Sequence, residues 1–516
     1  MRPEKILRTM GDIDPEYIDS AEKLGESSAK RRLFGWLAAA AAALAALGLF
    51  FAVRGIVKDN KSDDKEAQTM TEAPTAKPTE EPKEGADVQY TAIPTEAQTV
   101  TNMTERQKRI YDGAVAAAYL PEVPHSVNDR NYFEYMRELR HSVFSAGDDL
   151  EGFFGDTVRE FLLEGEEGEN TAYSPLNVYM ALAMLAETAS GETRQQILDL
   201  IGANSMEDLR AQINAVWLAN YHDSDIVVSL PAASAWLNSA FAGRMNKEVV
   251  NRLAELHHAS VFEGDMDDPA YTGLFRDWLN EQTRDLLTDS VSQKEFMPIE
   301  LLHIAATLYY KIGWASEFIA DNNTEEAFHA PTGDETVTFM HGAADACYEG
   351  EDYFMAFKTL SENARVWFIL PNEGVELENV IEEGDALGVI LAGVDDMLDY
   401  SSIIRLHMPK FDVSSDLDLR NGLKKLGVTD CFDAERSDFS EFTDVDGVYV
   451  SEINHSVRVT VDEKGVEAAA MVDIGMAGGM PPERIIDFTI DRPFMFVITG
   501  FDGTPLFVGT VYHPAA

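Results

Sequence analysis

Two short patterns in this 516-residue chain carry residue types that could hold a metal ion, and neither has the spacing. His257-His258 has no cysteine or carboxylate at ligand spacing, so it reads as an exposed helical pair. Asp444-Val445-Asp446-Gly447 matches the middle of a calcium loop. With Gly447 at the sixth position, however, the first position is Phe442 and the twelfth Ile453, so a turn is expected. Gly-x-Ser-x-Gly, His-Glu-x-x-His and Gly-x-x-x-x-Gly-Lys are all absent, so neither enzyme chemistry nor a cofactor is expected. What remains is the backbone itself as a substrate. Along residues 463–476, Val466, Ala468, Ala470, Val472, Ile474 and Met476 share one face, and Glu467, Ala469, Met471, Asp473 and Gly475 the other. That alternation is a strand, yet it runs straight into Ala477-Gly478-Gly479-Met480-Pro481-Pro482, which reads as a loop. A strand tethered to such a loop is a spring that could enter a sheet, provided the sheet opens.

The elements that would position it are readable around it. Leu150, Phe153, Phe154, Val158, Phe161 and Leu162 lie at helical spacing, and residues 175–200 contain at least one buried helix. Residues 366–371 and 494–499 read as buried strands. Mixed sheets flanked by helices place the domain in the α+β class.

Several motifs in order over residues 147–514 resemble the serpin family. Val461-Asp462-Glu463-Lys464-Gly465-Val466-Glu467-Ala468-Ala469-Ala470 resembles the hinge of an inhibitory reactive-centre loop. Asn170-Thr171-Ala172-Tyr173-Ser174-Pro175-Leu176 is similar to the family's first buried strand and helix. Trp278-Leu279-Asn280-Glu281-Gln282-Thr283, Tyr309-Tyr310-Lys311-Ile312-Gly313-Trp314 and Leu406-His407-Met408-Pro409-Lys410-Phe411 match in between. Asp491-Arg492-Pro493-Phe494-Met495-Phe496 and the run from Pro505 to Val511 look like its closing strands.

The resemblance implies one large domain over residues 147–516, with three β-sheets and eight to nine helices. It implies a suicide inhibitor: a protease attacks the loop, and the freed hinge inserts into the main sheet with the protease still attached. The hinge would be Gly465, Val466, Glu467, Ala468, Ala469 and Ala470. Counting 14 residues from Gly465, or back from Phe488, places the reactive bond at Gly479–Met480. Aligning on Pro481-Pro482 gives Gly478 instead, and Met476–Ala477 is a further option. A small residue before the bond points to elastase- or subtilisin-like serine proteases, with cysteine proteases as a further class. Ser174 and His455 match residues that hold the central strands together, while Asn177 replaces a usual serine and Ala306 a usual asparagine. Asn177 is expected to reach His455 in place of the missing amide. Trp314 matches the aromatic at the top of the opening, and Lys410 with Glu463 an ion pair there. The alternative is a serpin-like binding or structural domain whose loop is simply cut.

The formal net charge of −49 disfavours nucleic acid and anionic membrane surfaces as partners. Cys347 and Cys431 are too few for a disulfide framework and are expected to be unpaired thiols. Residues 33–53 are an uncharged apolar run long enough to span a bilayer, and Lys30-Arg31-Arg32 before it favours a cytoplasmic 1–32 segment. Residues 54–104, rich in Thr, Pro and Glu, read as a disordered stalk, and 105–146 as a lead-in of uncertain role. The expectation is a single-pass cell-membrane protein of a bacterial envelope, monomeric, with its large domain extracellular.

Overall fold

Thr104 opens the first helix with a reciprocal cap: its hydroxyl accepts from the Gln107 N–H, and the Gln107 side chain accepts from the Thr104 N–H. That helix, α1 (Glu105–Gly113), runs directly into strand β1 (Ala114–Ala116) in the computed structural model. The residues described are 103–118, 126, 132, 135–136, 150–165, 168–392, 397–466 and 484–514. All lie in one unit, Thr91–Ala516. The expected anchor at 33–53 and nearly all of the stalk fall outside the described residues. No helix among the described residues is long and apolar enough to cross a membrane.

Helix α2 (Glu151–Leu163) buries Phe153, Phe154, Val158, Phe161 and Leu162, the stripe that the sequence shows. After β2 (Thr171–Tyr173), Ser174 caps α3 (Pro175–Thr188), whose first turn is preset by Pro175. Nearly every residue of α3 is buried, because it is apolar on all sides and runs through the core. Helices α4 (Gly191–Ile201) and α5 (Met206–Asn220) follow, then α6 (Lys247–Leu256), α7 (Pro269–Gln282) and α8 (Thr288–Ser292). The short α9 (Leu377–Glu383), α10 (Ala386–Leu391) and α11 (Arg420–Lys425) complete the set. These are 11 α-helices among the described residues, against the eight to nine expected. The last three and α8 have seven residues or fewer, too short for periodicity to disclose.

The strands form three sheets, as expected. The largest contains β1, β3 (His222–Asp223), β4 (Val227–Asn238), β5 (Ala259–Gly264), β6 (Leu302–Gly313), β13 (Phe411–Asp418), β14 (Asn454–Val461) and β15 (Gly465–Val466). A second runs β2-β18-β17-β11-β10-β9, using β9 (Ala346–Glu349), β10 (Tyr353–Thr359), β11 (Arg365–Pro371), β17 (Phe494–Thr499) and β18 (Pro505–Val511). The third runs β16-β12-β8-β7, from β7 (Thr324–Ala330), β8 (Gly333–Ala344), β12 (Ile403–Pro409) and β16 (Ile485–Thr489). Strands β11 and β17 are buried along nearly their whole length, which is why they read as continuous apolar runs.

His257-His258 departs from expectation, because both rings are buried just past the end of α6. His257 Nε2 lies 3.2 Å from the Glu187 carboxylate, which Arg210 and Arg252 also clasp at 2.7 and 2.5 Å. His258 stacks on Trp217 with ring centroids 3.9 Å apart. The pair is a packing element, paired in space with a carboxylate 70 residues away that sequence spacing cannot reveal. Cys347 and Cys431 are buried and free, as expected.

Candidate functional site

The main sheet is divided between β6 and β14. On one side β4 and β6 run antiparallel from Val227↔Ile312 to Leu237↔Leu302, and on the other β13 and β14 run from Phe411↔Val461 to Asp418↔Asn454. Among the described residues β6 and β14 share no ladder; the two-residue β15 stands between them, with Val466 opposite both Ile312 and Val461. Below Val466 no described strand lies between the facing edges, and residues 302–306 of β6 are only half-buried. A cavity of about 1040 Å³ fills this slot, floored by Asn177 and Ala181 of α3 and walled by Ala306, Thr307, His455 and Ser456.

The top of the slot is closed by a tight turn. The Asp462 carboxylate accepts from the N–H groups of Lys464 and Gly465 at 2.8 and 3.3 Å, and the Asp462 N–H donates to the Gly465 carbonyl at 3.0 Å. Gly465 has φ 152°, and a Cβ there would lie 2.1 Å from the Ile312 carbonyl oxygen, so only glycine passes between the strands. The fully buried Trp314 pins the turn: its indole N–H donates to the Asp462 carbonyl and its backbone N–H to the Lys464 carbonyl, both at 2.8 Å. Lys410 Nζ stands 2.5 Å from Glu463, which also accepts from Asn323. Partial burial opposes ionisation of Glu463, but these two donors hold its carboxyl below the usual range.

The structure thus brings Trp314, Lys410, Glu463, Gly465 and Val466 together at the top of the slot. Two further residues support them without any sequence signal. Buried Lys358 lies 5.8 Å from the Trp314 ring and 5.0 Å from Phe318, and donates to the Ala343 carbonyl at 3.1 Å. Burial pushes its pKa down. Asn323 reaches Glu463 from 140 residues away.

Lower in the slot, the expected link between Asn177 and His455 is not made. His455 Nε2 already accepts from the Ser174 backbone N–H at 2.9 Å, and the Ser174 hydroxyl donates to the Leu506 carbonyl at 2.7 Å. Asn177 Oδ1 and Thr307 Oγ1 are buried without partners. Ser174 and His455 therefore tie α3 to β14, while nothing polar crosses from Ala306 on β6. Burial pushes the His455 pKa down to about 3, so the ring is neutral and its accepting nitrogen stays available. Glu467, Ala468, Ala469, Ala470, Gly479 and Met480 lie outside the described residues.

A family model described as Serpin (serine protease inhibitor) matches residues 152–514. Plasminogen activator inhibitor 1 of Bos taurus is 26% identical over 393 residues, covering 72% of this chain and 93% of that protein. Human neuroserpin is 26% identical over 374 residues, covering 67% and 87%. Among solved structures, the thermophilic serpin tengpin in its native state is similar at a TM-score of 0.62 and 22% identity, covering 76% of this chain and 97% of that one. Human thyroxine-binding globulin complexed with thyroxine is similar at a TM-score of 0.63 and 21% identity, covering 73% and 100%; at these identities the structural likeness shows the fold alone. With a family match over more than half its length and a three-sheet fold to go with it, the chain belongs to the serpin family.

Proposed function

We propose that this serpin inhibits serine-type endopeptidases, with cysteine-type enzymes as a further class, as a suicide substrate. The observation that carries the reading is Gly465 and Val466 seated between β6 and β14 above a cavity of about 1040 Å³. The protease nucleophile attacks the carbonyl before the scissile bond, read as Gly479–Met480. The new amine leaves with Met480, and an acyl-enzyme remains on Gly479. The freed segment then zips downward from Val466, because its first two residues are already in register and the next need no nucleation.

Val466 is buried already and adds nothing further. Burial of Val472, Ile474 and Met476 at ~1.5–3 kcal/mol each and about ten ladder hydrogen bonds at ~1 kcal/mol each still exceed ~10 kcal/mol. That is enough to distort an attached protease. The small residue before the bond suits elastase- or subtilisin-like pockets. The apolar run at 33–53 and the Pro- and Thr-rich 54–104 suit a bacterial cell-membrane anchor and stalk holding a monomeric domain outside.

Incubating the ectodomain with subtilisin- and elastase-type proteases and running a denaturing gel tests this. A covalent complex supports inhibition, while clean cleavage without complex supports the binding-domain alternative. Mass spectrometry of the cut product tests the bond.

A further inference from the structure

We propose that the lead-in before the family-matched region, α1 with β1, is a brace that holds the slot shut to strand insertion by gripping α7 and the segment after it. β1 adds an edge strand to the main sheet, pairing Ala114 with Phe262 and Ala116 with Val261. α1 lies along α7 through a set of charged contacts. Arg106 Nε donates to Glu281 at 2.8 Å, its Nη1 and Nη2 fork onto Asp285 at 2.6 and 3.1 Å, and Arg109 meets Asp277 at 2.5 Å. Gln107 adds a bond to Glu281 at 2.6 Å, and Gly113 packs against Leu274. All the carboxylates gripped lie in the C-terminal half of α7 or just beyond it.

That stretch of chain is the one that spans the slot. Thr283, Ser290 and Lys294 line the cavity. The Ser290 hydroxyl donates to Asp416 of β13 at 2.7 Å, and Lys294 Nζ stands 3.6 Å from the same carboxylate. One bridge therefore runs from the brace, across α7 and α8, to the far half of the sheet, and a strand entering between β6 and β14 must displace it. The bridge is also strained where the brace holds it. Arg284 and Asp285 are consecutive non-glycine residues in the left-handed region, at φ 51° and 62°. Once Arg106 lets go of Asp285, relief of that strain favours rearrangement of the segment.

The brace then decides how readily the loop enters, before as well as after cleavage. The proposal rests on the inhibitor reading for its purpose but not for its test. Full-length wild type, R106Q/R109Q, R109D and the exchanged pair R109D/D277R are held warm without protease. Conversion to a form that no longer unfolds at the denaturant midpoint of fresh protein is followed by fluorescence. R106Q/R109Q and R109D should convert on the order of tenfold faster than wild type, the factor that a few partly exposed charged contacts supply, and R109D/D277R should return toward the wild-type rate. Equal rates in all four, absence of conversion in the Arg variants, or no recovery in the exchanged pair overturns the brace. If R106Q/R109Q does not fold, R109D against R109D/D277R decides alone. Complex formation by wild type with subtilisin reads the inhibitor function separately, so a failure there leaves the conversion rates interpretable.

Discussion

Replacing Gly465 by alanine should unseat the hinge while leaving the turn above it in place. Seating brings burial of the Val466 side chain, at ~2 kcal/mol, and ladder bonds to strands on both sides, about two at ~1 kcal/mol each. The seat is therefore worth ~4 kcal/mol. Against this, an alanine Cβ would lie 2.1 Å from the Ile312 carbonyl oxygen and 2.8 Å from Gly313 Cα, both backbone atoms that cannot swing aside. Overpacking of that kind costs ~1–3 kcal/mol, and an alanine at φ 152° adds ~1–2 kcal/mol more. The two sides nearly cancel, so the hinge should spend a large fraction of time outside the sheet. The turn should stay, because Trp314 holds the Asp462 and Lys464 carbonyls and Lys410 and Asn323 hold Glu463. Hydrogen exchange resolved by peptide is the assay. Protection of the Val466 amide should fall by roughly two orders of magnitude, the equivalent of ~3 kcal/mol. The Trp314 indole environment should barely move, while the global unfolding free energy should fall by about the same ~3 kcal/mol. Unchanged protection at Val466 would refute the reasoning, since it would mean that the strands part easily enough to admit a Cβ.

Other outcomes follow from the same geometry. Ala470→Pro should turn the inhibitor into a substrate, because a proline cannot donate to the ladder being built; a variant that still traps protease on a denaturing gel removes the insertion mechanism. Asn177→Ala should cost less than ~1 kcal/mol in thermal unfolding, because its buried Oδ1 has no partner to lose; a loss above ~2 kcal/mol would show that the amide is bonded in solution. His455, pushed down to about 3 in the fold, binds its proton near 6.5 once unfolded. The unfolded chain therefore takes up one more proton between those values, and stability falls with acidity by up to ~1.4 kcal/mol per pH unit as pH drops below about 6.5. His455→Gln should flatten that slope in urea titrations between roughly pH 6 and pH 4, and an unaltered slope contradicts a buried neutral ring.

The fold was legible where burial is one-sided and local. The stripe of α2, the mostly apolar α3 and the continuous runs of β11 and β17 each announce themselves, because helix and strand periods map directly onto which side chains leave water. The alternation after Gly465 was readable in the sequence as well, but beyond Val466 it lies outside the described residues. The buried pair His257-His258 was not. Its partners Glu187 and Trp217 come from α3 and α5, and only chain folding brings them near. The lead-in was opaque for a similar reason: α1 buries no residue of its own fully, and its hold on α7 is made of charges that look like any solvated helix face.

By itself the sequence determined the serpin resemblance, carried by motifs in family order, and the apolar periods of α2, β11 and β17, which are local properties; the three sheets were what that resemblance implied. Only the tertiary structure decided that β6 and β14 share no ladder among the described residues, that Ser174 rather than Asn177 serves His455, and that α1 grips α7 and Asp285 just beyond it. Each of these is a choice among competing partners for the same hydrogen-bonding group or strand edge, and that choice is made by distances that no residue spacing contains.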